Sequence, residues 1–385
     1  MKRPSELLKY HPNRYYQTRR FFGRLYNYFR SAESQGGVLS VDAFQDLTGR
    51  FLSDHWRPEL VRMPLELRPF GVGRASQEVS LFCHVASFTK HGRNIFDISP
   101  SLAALLKLTD VDDVRWDCIR MPYDYLYISF GPQDGWHLTD PQYCIDGAYV
   151  SKLMDQVVQV LLTTYRAGLN YSQPLNFIAT RDVYFYFSFD IAGDNSTVGD
   201  SFRNTIKIDD AFNESWEPPP IDPDTMRLAE AHGVTLRQDP EKCSQRITAH
   251  ENRQNLPVFR DVLNLIVNCL CYLSSSNREV TTEFPAVLER QLDQSRDAVR
   301  LRRVREKWLR QGYTQIHFCG RSLDRDAESQ PTGRELSAHW RRGHWRNQAI
   351  GPALAEHKLI WIRPTLVRKD KAGDDLPGHV YTTEQ

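Results

Sequence analysis

One short run near the end of the chain concentrates side chains that could do chemistry. Residues 338–346 contain two histidines, three arginines and two tryptophans. Arginine pairs with phosphate, and an indole face stacks on a nucleobase or on a guanidinium group. The run therefore predicts a surface that contacts RNA phosphates or another polar partner. A structural alternative stays open, in which the tryptophans anchor an edge strand and the arginines extend into water.

The same run contains the components of a metal-independent ribonuclease. Two imidazoles that titrate near neutral pH can act as general acid and base, and guanidinium groups can stabilise a pentacovalent phosphorane. The candidate catalytic residues are His339, His344, Arg341 and Arg342. We favour a docking surface over catalysis, because docking requires no assembled active site. A third interpretation is structural: His344 bonds a backbone carbonyl beside Gly343, whose missing side chain allows a tight turn.

Length and composition indicate a folded protein without a cofactor. The chain has 385 residues, of which 41% are hydrophobic and 25% charged, which fits one large or two modest domains. No stretch approaches the roughly 20 apolar residues that cross a bilayer, and no apolar signal core follows the first basic residues, so we expect a cytoplasmic protein. The seven cysteines form no CxxC pair. With no phosphate-binding loop or dinucleotide fingerprint either, the sequence predicts no metal and no cofactor.

The formal net charge of +1 hides basic regions at both ends and an acidic middle. Lys2 to Arg30 carries eight Lys and Arg against one Glu, interleaved with aromatic residues. Arg290 to Arg310 carries eight against three acids, and Arg334 to Lys369 eight against two. Between them, Arg181 to Asp224 has ten acids and three bases. Basic and aromatic composition fits RNA or ribosome contact, although such a run is more often a solvated helix face.

Hydrophobic periodicity predicts an α+β fold with a mixed, mainly antiparallel sheet, packed helices, a basic-aromatic N-terminal helix and a C-terminal β segment. The predicted helices are Asn13–Ser31, Val41–Leu52, Asp97–Leu108, Leu153–Tyr165, Leu256–Leu273 and Pro285–Gln311. The predicted strands are Val79–Phe88, Tyr123–Phe130, Tyr143–Val150, Val183–Ile191, Ser201–Ile208, Tyr313–Cys319, His357–Val367 and Gly378–Thr383. Pro257 is expected to open its helix, and the polar segment Asp324–Gly333 is expected to be mobile.

We divide the chain into a basic-aromatic helical region at residues 1–55 and an α+β body at residues 56–385. The body contains an acidic, proline-rich insertion near residues 192–240. It ends in a C-terminal segment, residues 334–385, that carries the Arg-Arg-Gly-His-Trp motif.

Three segments, in this order, resemble a family of anti-CRISPR proteins whose founding member silences the type V-A CRISPR effector nuclease. The family is similar in placing an Arg-Arg-Gly-His-Trp motif shortly before a Lys-x-x-Trp-x-x-Pro strand near the C-terminus. Its members are found on phages, plasmids and other mobile elements. The segments that carry the resemblance are the strand Tyr123–Phe130, the helix Leu263–Leu273, and the motif Arg341–Trp345 with the later Lys358, Trp361 and Pro364.

The resemblance implies a regulatory protein without enzymatic activity of its own. Members of the family are described as recognising the N-terminal peptide of a target protein as it leaves the ribosome and causing loss of the translated mRNA. The implied partners are the nascent polypeptide, the ribosome or translated mRNA, and a host ribonuclease. Direct endoribonuclease activity and a nucleic-acid-binding factor of a mobile element remain the alternatives. The basic-aromatic N-terminal stretch and the region Asp194–Asp239 have no evident counterpart, so the target need not be a CRISPR nuclease.

The implied binding residues fall into two groups. The motif group would bind RNA or a partner, and it comprises Arg341, Arg342, Gly343, His344, Trp345, Lys358, Trp361 and Pro364. The second group lies on the aromatic strand, which could bind an extended peptide as an added strand. Its peptide-binding candidates are Tyr123, Tyr125 and Tyr127.

Overall fold

The computed structural model describes residues 5–15, 26–31, 41–51, 61, 68–133, 135–138, 141–153, 156–166, 168–169, 185–191, 196–205, 223–231, 244–286, 298–310, 313–329, 339–352 and 356–367. Its helices are α1 (His11–Tyr15), α2 (Val41–Phe51), α3 (Arg68–Lys90), α4 (Pro100–Lys107), α5 (Pro223–Ala231), α6 (Ser244–Ser274), α7 (Ala298–Arg310) and α8 (Arg321–Ser329). Shorter helical segments cover residues 26–31 and 198–205.

The strands form one large sheet and two small ones. They are β1 (Ile95–Ile98), β2 (Thr109–Asp110), β3 (Tyr125–Ser129), β4 (Tyr143–Leu153), β5 (Val157–Arg166), β6 (Phe185–Asp190), β7 (Val280–Glu283), β8 (Ile316–Cys319), β9 (His339–Arg341), β10 (Gly343–Ile350), β11 (Glu356–Ile362) and β12 (Thr365–Val367). The large sheet has the order β6-β5-β4-β3-β1-β8-β7. In it β1 runs parallel to β3 and β8, and the other neighbours are antiparallel. A mixed, mainly antiparallel α+β fold is thereby confirmed.

Helices cover both faces of the large sheet. On one face, Leu126 and Ile128 of β3 belong to the same buried cluster as the apolar residues of α6. On the other face, Tyr127 of β3 belongs to the cluster that contains Phe82 and Val85 of α3. Because both faces are buried, the central strands are nearly continuous apolar runs rather than alternating ones.

The helix α6 is the centre of the fold. Its second half, from Phe259 to Leu273, presents apolar side chains that are at most 3% exposed. Among the described residues, Gln254–Ser274 is the one stretch long and apolar enough to cross a membrane, but 67% of that window is buried within the fold. A helix buried between a sheet and a hairpin passes the same test, so this stretch is the core helix.

Several predicted elements are confirmed. The helices at Val41–Phe51 and Pro100–Lys107 and the strands at Tyr125–Ser129, Tyr143–Leu153, Phe185–Asp190 and Ile316–Cys319 lie where the sequence places them. The core helix is also confirmed, although it begins at Ser244 and contains Pro257 inside it rather than at its start. The predicted basic helix is described as α7, from Ala298, with residues 287–297 outside the described residues.

Two predictions exchanged helix and strand. The predicted strand Val79–Phe88 is wrong, because these residues lie inside α3. Its buried residues Val79, Phe82 and Ala86 have the i, i+3, i+7 spacing of one helix face. The predicted helix Leu153–Tyr165 is also wrong, since β5 runs from Val157 to Arg166 and is buried on both faces.

Further corrections concern polar segments. Ser201–Ile208 does not pair as a hairpin strand where it is described, because residues 198–205 are helical and the Trp116 indole N–H donates to Ser201 Oγ at 2.8 Å. The predicted mobile segment is instead helical over Asp324 to Ser329, where Asp324 accepts the Ser101 backbone N–H at 3.0 Å. The predicted N-terminal helix is described only as α1 and residues 26–31, and the strand Gly378–Thr383 lies outside the described residues.

Candidate functional site

The Arg-Arg-Gly-His-Trp motif lies at the point where two strand pairs meet. β9 pairs antiparallel with β12, and β10 pairs antiparallel with β11. The predicted C-terminal strand is divided into β11 and β12 by Arg363 and Pro364. At the start of β10, Gly343 and His344 also pair in parallel with the short strand β2. The motif therefore joins the C-terminal hairpin to the α+β body.

Gly343 is needed because the chain passes close to two neighbours. A Cβ atom at this position would lie 2.6 Å from Thr109 Oγ1 and 2.7 Å from Pro364 Cδ. The Gly343 backbone N–H donates to the Leu108 carbonyl at 3.0 Å, which holds the strands at this separation. Gly343 lies in a strand, so the expectation of a tight turn was wrong.

The indoles of Trp345 and Trp361 face the protein interior. The two residues are opposite each other in the hairpin, and their rings stack with centroids 6.0 Å apart. Trp361 is 2% exposed, and Tyr272 of α6 meets its ring edge-on at 5.6 Å. The predicted stacking of these two rings on RNA bases is therefore wrong. Trp345 packs inward as an anchor, although its strand β10 lies between β11 and β2 and is not the predicted edge strand.

A buried polar network holds both indoles. The Trp345 Nε1–H donates to Asn268 Oδ1 at 2.8 Å, and the Trp361 Nε1–H donates to Thr109 Oγ1 at 3.2 Å. Asn268, which is 0% exposed on α6, also donates to the Thr109 carbonyl at 3.1 Å. Each buried indole N–H thus has an acceptor, as buried polar groups require.

The outer face of the hairpin carries the cationic half of the motif. Neighbouring strand residues alternate between faces, so His344, Arg346 and Lys358 lie on the face opposite the two indoles. Arg346 and Lys358 are exposed, and His344 is half-buried. Arg342 and Arg363 are also exposed at this end of the hairpin. We call His344, Arg346 and Lys358 the outer hairpin face.

The aromatic strand is closed to an added peptide strand. β3 has β1 on one side and β4 on the other, so both of its edges are paired. Tyr127 is 0% exposed and Tyr125 is 7% exposed, with the Tyr125 ring stacked on His91 at 4.4 Å. Strand addition at Tyr125 and Tyr127 is therefore excluded by the fold. Tyr123, which precedes the strand, is 40% exposed.

The structure also keeps Tyr127 in a buried network. Its hydroxyl lies 2.9 Å from Thr163 Oγ1, which donates to Asp146 Oδ1 at 3.0 Å. Burial raises the pKa of Tyr127 well above its usual value. The ring is a structural element of the sheet rather than part of a binding surface.

Comparison with known protein families identifies the group to which these features belong. The family described as "AcrVA2-like: Anti-CRISPR type V subtype A2 family" matches residues 96–369. The chain belongs to this anti-CRISPR family. The matched region begins in β1 and extends past β12, so it includes α6, the hairpin and the whole motif. The family resemblance that the sequence predicted is confirmed.

Structural comparison of this anti-CRISPR family member adds a distant likeness. A solved structure titled "Crystal structure of AcrVA2" is 10% identical, with a TM-score of 0.40 over 93% of this chain and 97% of the other. At that distance the likeness carries no argument about fold or mechanism. Among curated protein sequences, none matches this chain.

The candidate catalytic residues do not form one recognisable site in the described structure. His344 faces outward on β10, whereas His339 lies on β9, in a different strand pair. Arg342 is exposed between the two strands, and Arg341 pairs with Thr365 at the end of β9. This geometry gives no support to general acid and base catalysis by the two histidines.

The described residues contain no group of three His, Cys, Asp or Glu side chains that could hold a metal ion. Six cysteines in the described part of the chain are free thiols. Burial raises the pKa of Cys118 to about 11 and that of Cys269 well above its ordinary value. The thiols of Cys118 and Cys269 are accordingly protonated at neutral pH.

Sequence reasoning missed Thr109 and Asn268, which bind the two indoles. One signal for Asn268 was available, since an amide stands in the most apolar stretch of the chain. A buried amide needs partners, and the two nearby indole groups are suitable donors.

Proposed function

We propose that this anti-CRISPR-like protein of a phage or plasmid recognises the nascent N-terminal peptide of a target protein at the ribosome, in the cytoplasm, and triggers degradation of the mRNA being translated. The observation that carries the proposal is the family match over residues 96–369, which includes the complete Arg-Arg-Gly-His-Trp motif. The protein itself is a regulator, and a host ribonuclease removes the message.

The outer hairpin face supports an effector role for the motif. The inward residues fix the hairpin on α6, so the outward cations are held on a rigid two-stranded support. Arg346 and Lys358 are exposed there, beside the half-buried His344. A rigid cationic surface of this kind suits docking to phosphate or to an acidic surface of a partner.

The edge strand β7 supports peptide recognition by strand addition. It ends the large sheet on one side among the described strands, and Thr281, Thr282 and Glu283 are exposed. An unpaired strand edge can hydrogen-bond an extended peptide, while neighbouring side chains select its sequence. A nascent N-terminus suits this mode because it is extended as it leaves the ribosome.

Tyr123 lies close to β8, the strand next to β7. Its ring is 5.8 Å from that of His317, whose Nδ1 is 2.8 Å from Thr282 Oγ1 on β7. The His317 ring stacks on Phe96 at 4.5 Å, and burial lowers the pKa of His317, so the imidazole is neutral at pH 7. This neutral aromatic surface, one strand inward from β7, suits apolar side chains of a bound peptide.

The first experiment separates peptide from nucleotide recognition. Expression of the protein, followed by RNA sequencing and ribosome profiling, is expected to deplete one or a few transcripts. Synonymous recoding of the start of a depleted gene keeps the peptide, so depletion is expected to persist. A compensated frameshift over the same codons changes the peptide with few nucleotide changes, so depletion is expected to stop.

The opposite pattern, in which depletion follows the nucleotides, would contradict nascent-chain recognition. The alternative of direct RNA cleavage is tested with purified protein and naked target mRNA, which we expect to remain intact. Cutting of naked RNA that disappears in both His339→Ala and His344→Ala would instead establish an endoribonuclease.

The second experiment locates the peptide. Tyr123→Ala is expected to weaken binding of a synthetic peptide, taken from the N-terminus of a depleted target, by roughly ten-fold, as for loss of one aromatic anchor. Binding is measured by fluorescence anisotropy, and the unfolding midpoint is measured alongside it because the Tyr123 ring also contacts Phe96 and His317. Arg115→Ala, at another exposed site, is the control. Undiminished affinity in Tyr123→Ala would remove this surface from the proposal.

A further inference from the structure

Helix α7 is fixed to the body by one apolar face. Trp308 is 4% exposed, and its ring meets that of Phe284 at 5.4 Å. Val304 and Leu301, one and two turns before Trp308, pack against the same cluster, which also includes Leu7. The helix therefore has a defined orientation, and its other side is turned to solvent.

The solvent side of α7 is strongly basic. The helix contains six Lys and Arg residues and one acid, Glu306, in 13 residues. Its exposed cations are Arg300, Arg302, Arg303, Arg305 and Lys307. Like charges this close on one helix repel each other and destabilise it, so an opposite charge on a partner would be favourable.

Local contacts divide these cations into two groups. Arg302 forms an ion pair with Glu306 at 3.2 Å, and the Arg305 guanidinium lies 5.9 Å from the Phe284 ring centre. Arg300, Arg303 and Lys307 follow the i, i+3, i+7 spacing of one helix flank and span about 10 Å. No other described residue forms an ion pair with these three. We call them the α7 basic flank.

The chemistry of the flank indicates which polyanion would fit. Single-stranded RNA is held by bases that stack on exposed aromatic rings. Among the described residues, the aromatic rings at α7 are those of Trp308 and Phe284, and both are buried. The described part of the flank thus offers charge without a stacking platform. Double-helical RNA is recognised largely through its backbone and shape, for which a rigid row of cations is sufficient.

We propose that the α7 basic flank binds the phosphate backbone of double-helical ribosomal RNA and so holds the protein on the ribosome. The choice of ribosomal RNA rests on the proposed function, which places the protein beside the emerging chain. The binding chemistry rests on α7 alone. Contact is made by Arg300, Arg303 and Lys307 with successive phosphates and is independent of base sequence.

The test uses the full chain with Arg300→Ala, Arg303→Ala and Lys307→Ala combined. Binding to purified ribosomes and to a duplex RNA of about 20 base pairs, enough for a typical duplex-binding surface, is measured from low to high salt. We expect affinity to fall at least ten-fold at physiological salt. The slope of log affinity against log salt should become shallower by about three, one for each lost phosphate contact.

Two control proteins accompany this variant. Arg50→Ala, Arg120→Ala and Arg203→Ala combined remove the same charge from three exposed positions on other elements, and this protein should bind RNA normally. Arg300→Lys with Arg303→Lys keeps the charge and should retain most of the affinity, as expected for contacts to single phosphate charges. All variants should unfold at the wild-type midpoint, because none of these side chains is in the core.

Three outcomes would overturn the inference: the alanine variant binds ribosomes like the wild type, the dispersed control loses as much affinity, or an acidic protein competes better than duplex RNA. Its failure is distinguishable from that of the proposed function. Suppose that the wild type depletes transcripts, and that the alanine variant depletes them to the same extent and binds ribosomes with the same affinity. Only the ribosomal docking is then wrong. If the wild type depletes nothing but the flank still binds RNA, the inference on RNA binding stands and the proposed function fails.

Discussion

At the scale of single residues, the motif has two roles that alternate along one strand. Gly343 and Trp345 face or approach the body, whereas His344 and Arg346 point the other way. The sequence predicted the residue types correctly and could not assign these roles, because they depend on which face of the hairpin lies against α6. One extended strand therefore combines an anchor with a solvent-facing cationic surface.

Asn268 is the residue on which the anchor depends. Its amide accepts from the Trp345 indole and donates to the Thr109 carbonyl, and the side chain is fully buried. We predict that Asn268→Leu lowers the free energy of unfolding by about 2 kcal/mol, because it leaves a buried N–H and a buried carbonyl without their partner. Urea unfolding followed by tryptophan fluorescence measures the change.

The matched control for this prediction is Arg346→Ala. This residue neighbours Trp345 but lies on the outer hairpin face, so its removal should change stability by less than about 0.5 kcal/mol. A stability loss in Arg346→Ala as large as that in Asn268→Leu would show that the two faces do not have separate roles.

At the scale of secondary-structure elements, the sequence predicted most segments correctly. In two segments it predicted a strand for a helix or a helix for a strand. Val79–Phe88 has the β-branched and aromatic residues typical of a strand, yet these residues form buried turns of the helix α3. β5 was mistaken for a helix because a strand buried on both faces has no alternation to reveal it. In each case the sequence alone did not show which residues are buried, so the spacing of buried positions could not be used. Only the packing partners decide between helix and strand.

The contacts at the outer edges of β7 and β11 explain why β7 is the better place for a peptide to add as a strand. The Asn277 side chain accepts the Trp361 backbone N–H at 3.2 Å and donates to its carbonyl at 3.1 Å, as a neighbouring strand would. The Ser276 N–H donates to the Leu359 carbonyl at 3.0 Å. The middle of β11 is therefore already covered, whereas the described contacts of β7 leave Thr281 and Thr282 exposed.

At the scale of the whole molecule, the N-terminal segment is bound to the sheet of the family region. Arg14 and Asp146 form an ion pair at 2.7 Å, and both side chains are 1% exposed. Arg14 also donates to the Thr164 carbonyl at 3.1 Å, and His11 Nδ1 lies 3.0 Å from the Tyr149 hydroxyl. Composition marked this segment as basic, but no local signal could reveal that Arg14 is buried against a strand more than 100 residues away.

Breaking this ion pair should destabilise the body as a whole. Arg14→Met leaves the Asp146 carboxylate buried without its cation, which typically costs about 3–5 kcal/mol. The double variant with Asp146→Asn removes the stranded charge while keeping an acceptor for Thr163, so it should recover at least about 1 kcal/mol of that loss. Denaturant unfolding of the wild type, both single variants and the double variant gives the coupling directly. If Arg14→Met unfolds at the wild-type midpoint, the N-terminal segment contributes nothing to the stability of the sheet, and residues 5–15 are not an integral part of the folded body.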